Sequence, residues 1–457
     1  MIPPVSSGAD GSSRVFAVNR EGNAFLADLD HTVPTVDLGP GRVIQGDDNE
    51  VFGLWNSLVA WLPATRSVRL IAAHGGEIFP GRLADHIATV RVGVARGRLT
   101  PVQLDLDISM ACPSACTFCF SAHYRVERGS GRFMSWAAIE RTIRSARSIG
   151  VKVVRFDGGG DPLASPCFAD AVALCASEGL VSAVLTSGDL LRAEMLPGLV
   201  RAGTYVRVSL NSATDETRML LHRTPRRFGV QRVLEVIREL DDLRRLTYGP
   251  AAAKSMPIGG TSMIHPANVA ETFAIAEAGK RAGLDHISFR VILGNKLKVT
   301  FSEDQEQQYR IQHARIVDEL ADDGFRVFFP TRPLTDTGYV PREYFSRCLS
   351  STHRALVEVG ADPSTPALVP CGRYRGRGFN DAGDMVLGQL ADGRGLDSVW
   401  LSPSMSAVVA RLPDACGDCI DRSANVMLNG IHDAIAEDSG AEFFRFARPT
   451  TPRPAST

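Results

Sequence analysis

From residue 102 onward, strand-like apolar segments alternate with amphipathic helical ones, and this alternation constrains the fold more than any other feature of the chain. VQLDLDIS, VKVVRFD, SAVLTS, YVRVSLNS, TSMIH, HISFRVIL and later FRVFF have the length and composition of strands. Between them, helices are expected near 135–148, 166–179, 189–201, 226–245, 267–282 and 303–323, with Gly150, Gly179, Gly203, Gly283 and Gly324 placed to end them. Such alternation folds as βα units around a parallel sheet. The expected class is α/β: a partial (β/α)6 barrel of TIM-like type over residues 99–330, with an extra closing unit. A small N-terminal α+β domain (1–98), a small C-terminal domain (331–446) and a disordered tail (447–457) complete the expected organisation.

Within the strands the polar residues share one face. In VQLDLDIS, Val102, Leu104, Leu106 and Ile108 alternate with Gln103, Asp105, Asp107 and Ser109, a split that a sheet covered on both faces by apolar packing does not show. A polar lumen accounts for it. The same alternation puts Arg155 and Asp157, then Arg207, Ser209 and Asn211, then His286, Ser288 and Arg290 on the inward face. Barrel chemistry sits at C-terminal strand ends, so the later member of each set is expected nearest to it.

Ahead of the barrel, RVFAVNREGNAFLADLD is expected to form a hairpin turning at Glu21 and Gly22, and the apolar run VFGLWNSLVAWL suits a short buried helix. This segment is either a packing domain or a peptide-recognition module. With 50 Lys and Arg against 51 Asp and Glu, the net charge of −1 gives no basic footprint for nucleic acid or an anionic membrane. No basic start followed by an apolar stretch opens the sequence, and no run of about 18 apolar residues occurs, so a cytoplasmic location is expected.

Nine cysteines in such a chain argue for metal ligation over disulfides, because cytosolic thiols are kept reduced. Cys167 and Cys175 lie in a helical pattern and are expected to be core thiols. Cys112, Cys116 and Cys119 fall within eight residues as C-x-x-x-C-x-x-C, directly after the first barrel strand, where one loop can wrap three thiolates around a metal cluster. Three ligands leave one iron of a four-iron cluster open; a zinc knuckle completed by His123 is the alternative. Cys348, Cys371, Cys416 and Cys419 form a second, looser set, able to close one four-iron cluster or a structural zinc site.

In spacing, in position and in the aromatic Phe118 before its third cysteine, the first motif resembles the radical S-adenosylmethionine (SAM) superfamily. The resemblance implies that the open iron chelates SAM and that one electron from the cluster breaks a C–S bond to give a 5′-deoxyadenosyl radical. The family's second strand ends in Gly-Gly-Glu-Pro against the SAM amino group; here Gly158, Gly159, Gly160, Asp161 and Pro162 stand there, with Asp in place of Glu. LTSGDLL is similar to the family's Thr-Asn-Gly segment and puts Thr186 and Ser187 near the lumen. VRVSLNSATDE resembles its fourth-strand segment, which implies Ser209 and Asn211 at the SAM ribose; either residue also suits a helix cap. Of the family's fifth-strand pattern against adenine, MIHPANVAE keeps Ile264 and Glu271 but not the glycines. Arg290 is expected to pair the SAM carboxylate or, equally, Asp157 or Asp161.

The C-terminal text CGRYRGRGFNDAGDMVLGQL and the later C-x-x-C resemble the auxiliary-cluster domains called SPASM and Twitch, and four cysteines fit the shorter Twitch arrangement. The implied cofactors are SAM and two 4Fe–4S clusters, one binding SAM and one auxiliary. The layout is similar to enzymes that tailor amino sugars and aminocyclitols in antibiotic biosynthesis, a diol dehydratase of a paromamine-like aminoglycoside above all. Inward-facing carboxylates and guanidinium groups suit such a small-molecule substrate, whose ammonium groups are expected to meet Asp157 and Asp189 at the barrel mouth. The other implied partner is an electron donor of flavodoxin or ferredoxin type, or a separate reductase; nucleic acid and membrane are not expected. A peptide maturase whose residues 1–98 grip a leader peptide, and a non-catalytic metal scaffold, are the alternatives.

Overall fold

The computed structural model describes five strands between residues 14 and 72, residues 99–415 apart from 120, 123–130, 251, 292–298, 323, 330–333, 335–346, 375–385 and 401, and Asn425. The five strands, β1 (Arg14–Val18), β2 (Ala24–Asp28), β3 (Thr35–Pro40), β4 (Ser57–Leu62) and β5 (Ser67–Ala72), form one sheet ordered β2-β1-β4-β5-β3. All its pairs are antiparallel. The expected hairpin is present, with Arg14 opposite Asp28 and Val18 opposite Ala24; its turn lies outside the described residues. Ser57–Leu62 is a strand where a helix was expected. It pairs along its whole length with β5, and an apolar run this short fits either element until its partner is known.

The second sheet has ten strands in the order β12-β11-β10-β9-β8-β7-β6-β13-β14-β15. Seven of them are the expected barrel strands: β6 (Gln103–Asp107), β7 (Val153–Asp157), β8 (Val181–Thr186), β9 (Tyr205–Ser209), β10 (Ile258–Ile264), β11 (His286–Val291) and β12 (Arg326–Phe328). Every adjacent pair among these is parallel. The intervening helices are α1 (Trp136–Ile149), α2 (Phe168–Ser177), α3 (Leu196–Arg201), α4 (Asp215–His222), α5 (Val230–Tyr248), α6 (Thr272–Arg281) and α7 (Glu303–Glu319). Helix α1 starts where the Ser135 side chain accepts from the Ala138 amide and stops at Gly150, whose φ of 105° an L side chain rarely adopts. A capping box between Ser302 and Gln305 opens α7.

On the other side of β6, β13 (Arg354–Glu358) pairs parallel with it, Arg354 opposite Gln103 and Val357 opposite Leu106. The antiparallel strands β14 (Ala367–Val369) and β15 (Gly388–Gln389) follow. Strands from beyond residue 330 thus continue the barrel's own sheet. Helices α8 (Ser350–His353), α9 (Leu396–Val399) and α10 (Pro403–Ala415) also lie in this part of the chain. The Trp400 indole donates to the Leu99 carbonyl at 3.0 Å and the Leu396 amide donates to Ser145 on α1 at 2.9 Å, tying this segment to the barrel wall.

The outward face of the strands is apolar: Leu104, Leu106, Ile108, Val154, Phe156, Val184 and Val206 are fully buried against the helices. The inward face is layered. At its N-terminal end Val153, Ala183 and Tyr205 form a separate buried cluster, and the Tyr205 hydroxyl meets His286 Nε2 at 3.1 Å with the rings stacked. Gly259 makes room for that pair, since a Cβ there would lie 2.4 Å from His286 Nε2. Above this floor the lumen is charged, with Asp105 Oδ2 2.6 Å from Arg155 and 3.6 Å from Arg354. The polar lumen expected from the strand pattern therefore has a floor of Val153, Ala183 and the Tyr205–His286 pair.

Candidate active site

A cavity of about 200 Å³ opens at the C-terminal ends of the barrel strands, and Cys112 and Cys116 line it together with Asp157, Arg207, Ser209 and Thr261. Phe118, Gly160, Asp161, Thr186, Asn211 and His222 are also among its lining residues.

Three sets of contacts hold the cysteine loop. First, amides of the loop satisfy carbonyls that the last turn of α4 leaves without helical partners: Ala115 N donates to His222 O at 2.9 Å and Thr117 N to Leu221 O at 2.8 Å. Second, the Ser114 hydroxyl donates to Asp189 Oδ2 at 2.6 Å, and Asp189 forms a fully buried ion pair with Arg218 of α4. Third, the glycine turn after β7 is laced to the residues preceding Cys112, with Gly160 N on Ser109 O at 2.9 Å and Asp161 N on Ala111 O at 2.8 Å. That approach admits no side chain, for a Cβ on Gly160 would sit 2.2 Å from Ala111 O. Gly158, with φ of 140°, turns the backbone over Asp107 just before it; Gly159 lies between them.

Asp161 was expected against the SAM amino group. Its carboxylate is used within the protein: Thr186 Oγ1 donates to it at 2.8 Å, Ser187 N at 2.9 Å, Ser187 Oγ at 2.8 Å and Leu163 N at 3.1 Å. Burial raises its pKa and these donors oppose the rise. Asp161 and Thr186 line the cavity together, and the carboxylate clamps the end of β8.

Asp189 requires a correction. It was expected at the mouth facing an ammonium group, but it does not line the cavity, and Ser114, Arg218 and Thr224 surround its carboxylate. A carboxylate already paired inside the protein gains nothing from a ligand it cannot reach. Asp157 does line the cavity, 3.4 Å from Arg155. Arg290 stands opposite Met263 in the sheet, half-buried and not among the cavity-lining residues. Glu271 accepts from Ala213 N at 2.7 Å and Thr214 Oγ1 at 2.9 Å, fastening the start of α4.

His222, which sequence reasoning missed, closes the cavity behind the cysteine loop. Its Nδ1 lies 3.5 Å from Cys116 Sγ, its Nε2 lies 3.0 Å from Asn211 Nδ2, and the Phe118 ring meets it edge-on at 6.0 Å. Burial, and then the Arg218 charge, hold its pKa well below the usual imidazole range. Asn211 is fixed as well, accepting from Met263 N at 2.6 Å through Oδ1.

The donor chemistry fits a four-iron cluster. Three thiols sit on one loop against a wall that carries no Cβ at Gly160. Such a cluster takes one thiolate per iron, so three thiols leave one of its four irons open. Cys348 and Cys371 are half-buried, whereas Cys416, Cys419 and His123 lie outside the described residues. Cys167 and Cys175 pack with the α2 core, as expected. Among the described residues no helix is long and apolar enough to cross a membrane.

Comparison with known proteins agrees with this geometry. The GTP 3′,8-cyclase of Geobacter sulfurreducens is 33% identical over 140 residues, 30% of this chain and 42% of that one. The PqqA peptide cyclase of Gluconobacter oxydans is 30% identical over 118 residues, 25% of this chain and 32% of that one. The chain thus spans less than half the length of these relatives. Streptococcus suis SuiB, in its structure bound to S-adenosylmethionine, has a similar fold over 71% of each chain, with a TM-score of 0.50 at 14% identity. Residues 106–250, which include the cysteine loop, the glycine turn, Asn211 and His222, match the model of the radical SAM superfamily.

Proposed function

We propose that the chain is a radical SAM enzyme that holds a 4Fe–4S cluster on Cys112, Cys116 and Cys119 and abstracts hydrogen from an amino sugar or aminocyclitol, with dehydration of a paromamine-like diol favoured. The observation that carries this reading is the single cavity joining two loop cysteines to Asp157, Arg207, Ser209 and Asn211. A loaded cluster with an open iron supplies the electron that cleaves SAM.

The protein's own residues do the rest. Gly160 and Thr186 would form part of the wall against which SAM lies, with no side chain on Gly160 in the way. Asp157 offers a partly exposed carboxylate in the cavity to an ammonium group, with Arg155 3.4 Å away. Arg207, Ser209 and Thr261, lining the same cavity, present donors for hydroxyl groups. Cys348, Cys371, Cys416 and Cys419 would saturate a second cluster, which would leave it no open iron for SAM and suit it to electron transfer or substrate placement.

A second reading is a peptide maturase. It is supported by the five-stranded sheet ahead of the barrel, in which β2 and β3 are the outermost strands among the described residues and an extended peptide can add at such a position, and by the similarity to a PqqA peptide cyclase.

Anaerobically reconstituted protein incubated with SAM, a reductant and either paromamine-like compounds or peptides tests both. Paromamine-like compounds should raise the 5′-deoxyadenosine yield above background and become dehydrated, and the Cys112→Ala, Cys116→Ala, Cys119→Ala triple variant should release none. Stimulation by peptides alone would overturn the sugar reading, and cleavage retained in the triple variant would overturn the cluster assignment.

A further inference from the structure

The hydrogen bonds around His222 leave one arrangement of its proton. The Asn211 amide is oriented from outside the ring, because its Oδ1 accepts from the Met263 backbone at 2.6 Å. Nδ2 must then be the atom that faces His222, and an amide nitrogen only donates. His222 Nε2, 3.0 Å away, is therefore an acceptor and carries no proton. In a neutral ring the proton sits on Nδ1, and Nδ1 faces Cys116 Sγ at 3.5 Å. The side chain is buried, 1% exposed.

The geometry points to His222 as a positioning residue that donates a fixed Nδ1–H hydrogen bond to the Cys116 thiolate and so raises the reduction potential of the cluster held there. The inference rests on the reading of Cys112, Cys116 and Cys119 as cluster ligands. A hydrogen bond to a ligand sulfur withdraws electron density and favours the reduced, more negative state of a cluster. The rest of the chain is arranged to keep the donor aimed. His222 ends α4, its carbonyl accepts from Ala115 of the cysteine loop, and the Phe118 ring meets its face or edge from that same loop. The imidazole and the sulfur it serves are thus fastened to each other twice, once by backbone and once by side chain. Asn211, on the strand side, sets the tautomer without touching the cluster's ligands.

The experiment is an EPR-monitored redox titration of reconstituted full-length protein, following the signal that changes when SAM is added. His222→Phe keeps a ring and loses the donor; it should bind the same iron per chain and lower the midpoint potential by the equivalent of about a tenfold change in the reduction equilibrium, about 59 mV for one electron. His222→Asn, whose amide nitrogen falls near the Nδ1 position, should recover at least half of that shift. In wild-type protein labelled with 15N-histidine, pulsed EPR should show a weak nitrogen coupling transmitted through sulfur. An unchanged potential in His222→Phe at full iron content overturns the inference, as does a nitrogen coupling of the strength of direct iron ligation. If His222→Phe fails to hold the cluster, the wild-type coupling decides alone, its absence overturning the inference. A wild-type protein that assembles no cluster on the three cysteines defeats the underlying reading itself, an outcome distinct from a cluster that forms and ignores His222.

Discussion

The Ser114 hydroxyl donates to Asp189 Oδ2 across 2.6 Å, and this bond connects the cysteine loop to a carboxylate 75 residues further along the chain. Behind it stands Arg218, fully buried, with its guanidinium on Asp189 and on the Ser187 carbonyl at 3.1 Å. The arrangement makes Asp189 a support for the loop.

Asp189→Asn should therefore leave a buried guanidinium without its counter-charge, at a cost of about 3–5 kcal/mol. Urea denaturation should show that loss together with reduced iron per chain after reconstitution. Full stability and iron content with lost substrate turnover would return Asp189 to the substrate side.

Gly160→Val is expected to lower iron content as well as SAM affinity, because the added Cβ would meet the Ala111 carbonyl at 2.2 Å and push on the residue before Cys112. Gly198→Ala, where a Cβ meets nothing within 4 Å, is the control and should change neither. Iron determination and SAM binding by equilibrium dialysis read both variants.

Burial pushes the His353 imidazole down to about 4 from its ordinary 6.5. Below pH 6.5 the unfolded chain takes up a proton that the folded ring refuses until about pH 4, so this residue's contribution to stability is lost as pH falls through that window. The loss at the acid end is on the order of 3 kcal/mol. Denaturation midpoints between pH 7.5 and 4.5 should fall less steeply for His353→Gln than for wild type; parallel curves would contradict the assignment.

Two four-iron clusters predict about eight irons per chain. Cys416→Ala with Cys419→Ala should leave about four, lower product formation and preserve some uncoupled SAM cleavage. A count of about four in the wild type, with one zinc, would identify the second site as structural.

Much of the barrel was legible because its strands announce themselves by period and some helices by a closing glycine, as Gly150 closes α1. The cysteine loop was legible from spacing alone. Pairing was not: RALVE has strand composition, but nothing in five residues tells that it will lie beside a strand some 250 positions earlier, Arg354 against Gln103. Helix α4 escaped notice although Thr214 caps it and Asp215 and Glu216 occupy its first turn, signals that a stricter reading of start motifs would have used. His222 could not be found by local pattern, since its place depends on a loop 106 residues away. Asp189 was placed correctly along the chain and wrongly in direction. Position after a strand end locates a side chain, whereas Arg218 and Ser114 decide where it points.

The pairing of β13 with β6 bears on how the chain avoids sticking to itself. Gln103–Asp107 is buried at every position and is flanked on both sides, by β7 and by β13. A chain shortened after residue 330 would uncover this strand's main-chain donors and acceptors, along with apolar side chains meant for the interior, and an exposed row of that kind recruits other chains. The C-terminal segment therefore acts as a guard against aggregation. It cannot be exchanged between proteins as a detachable module without also supplying a new partner for that strand.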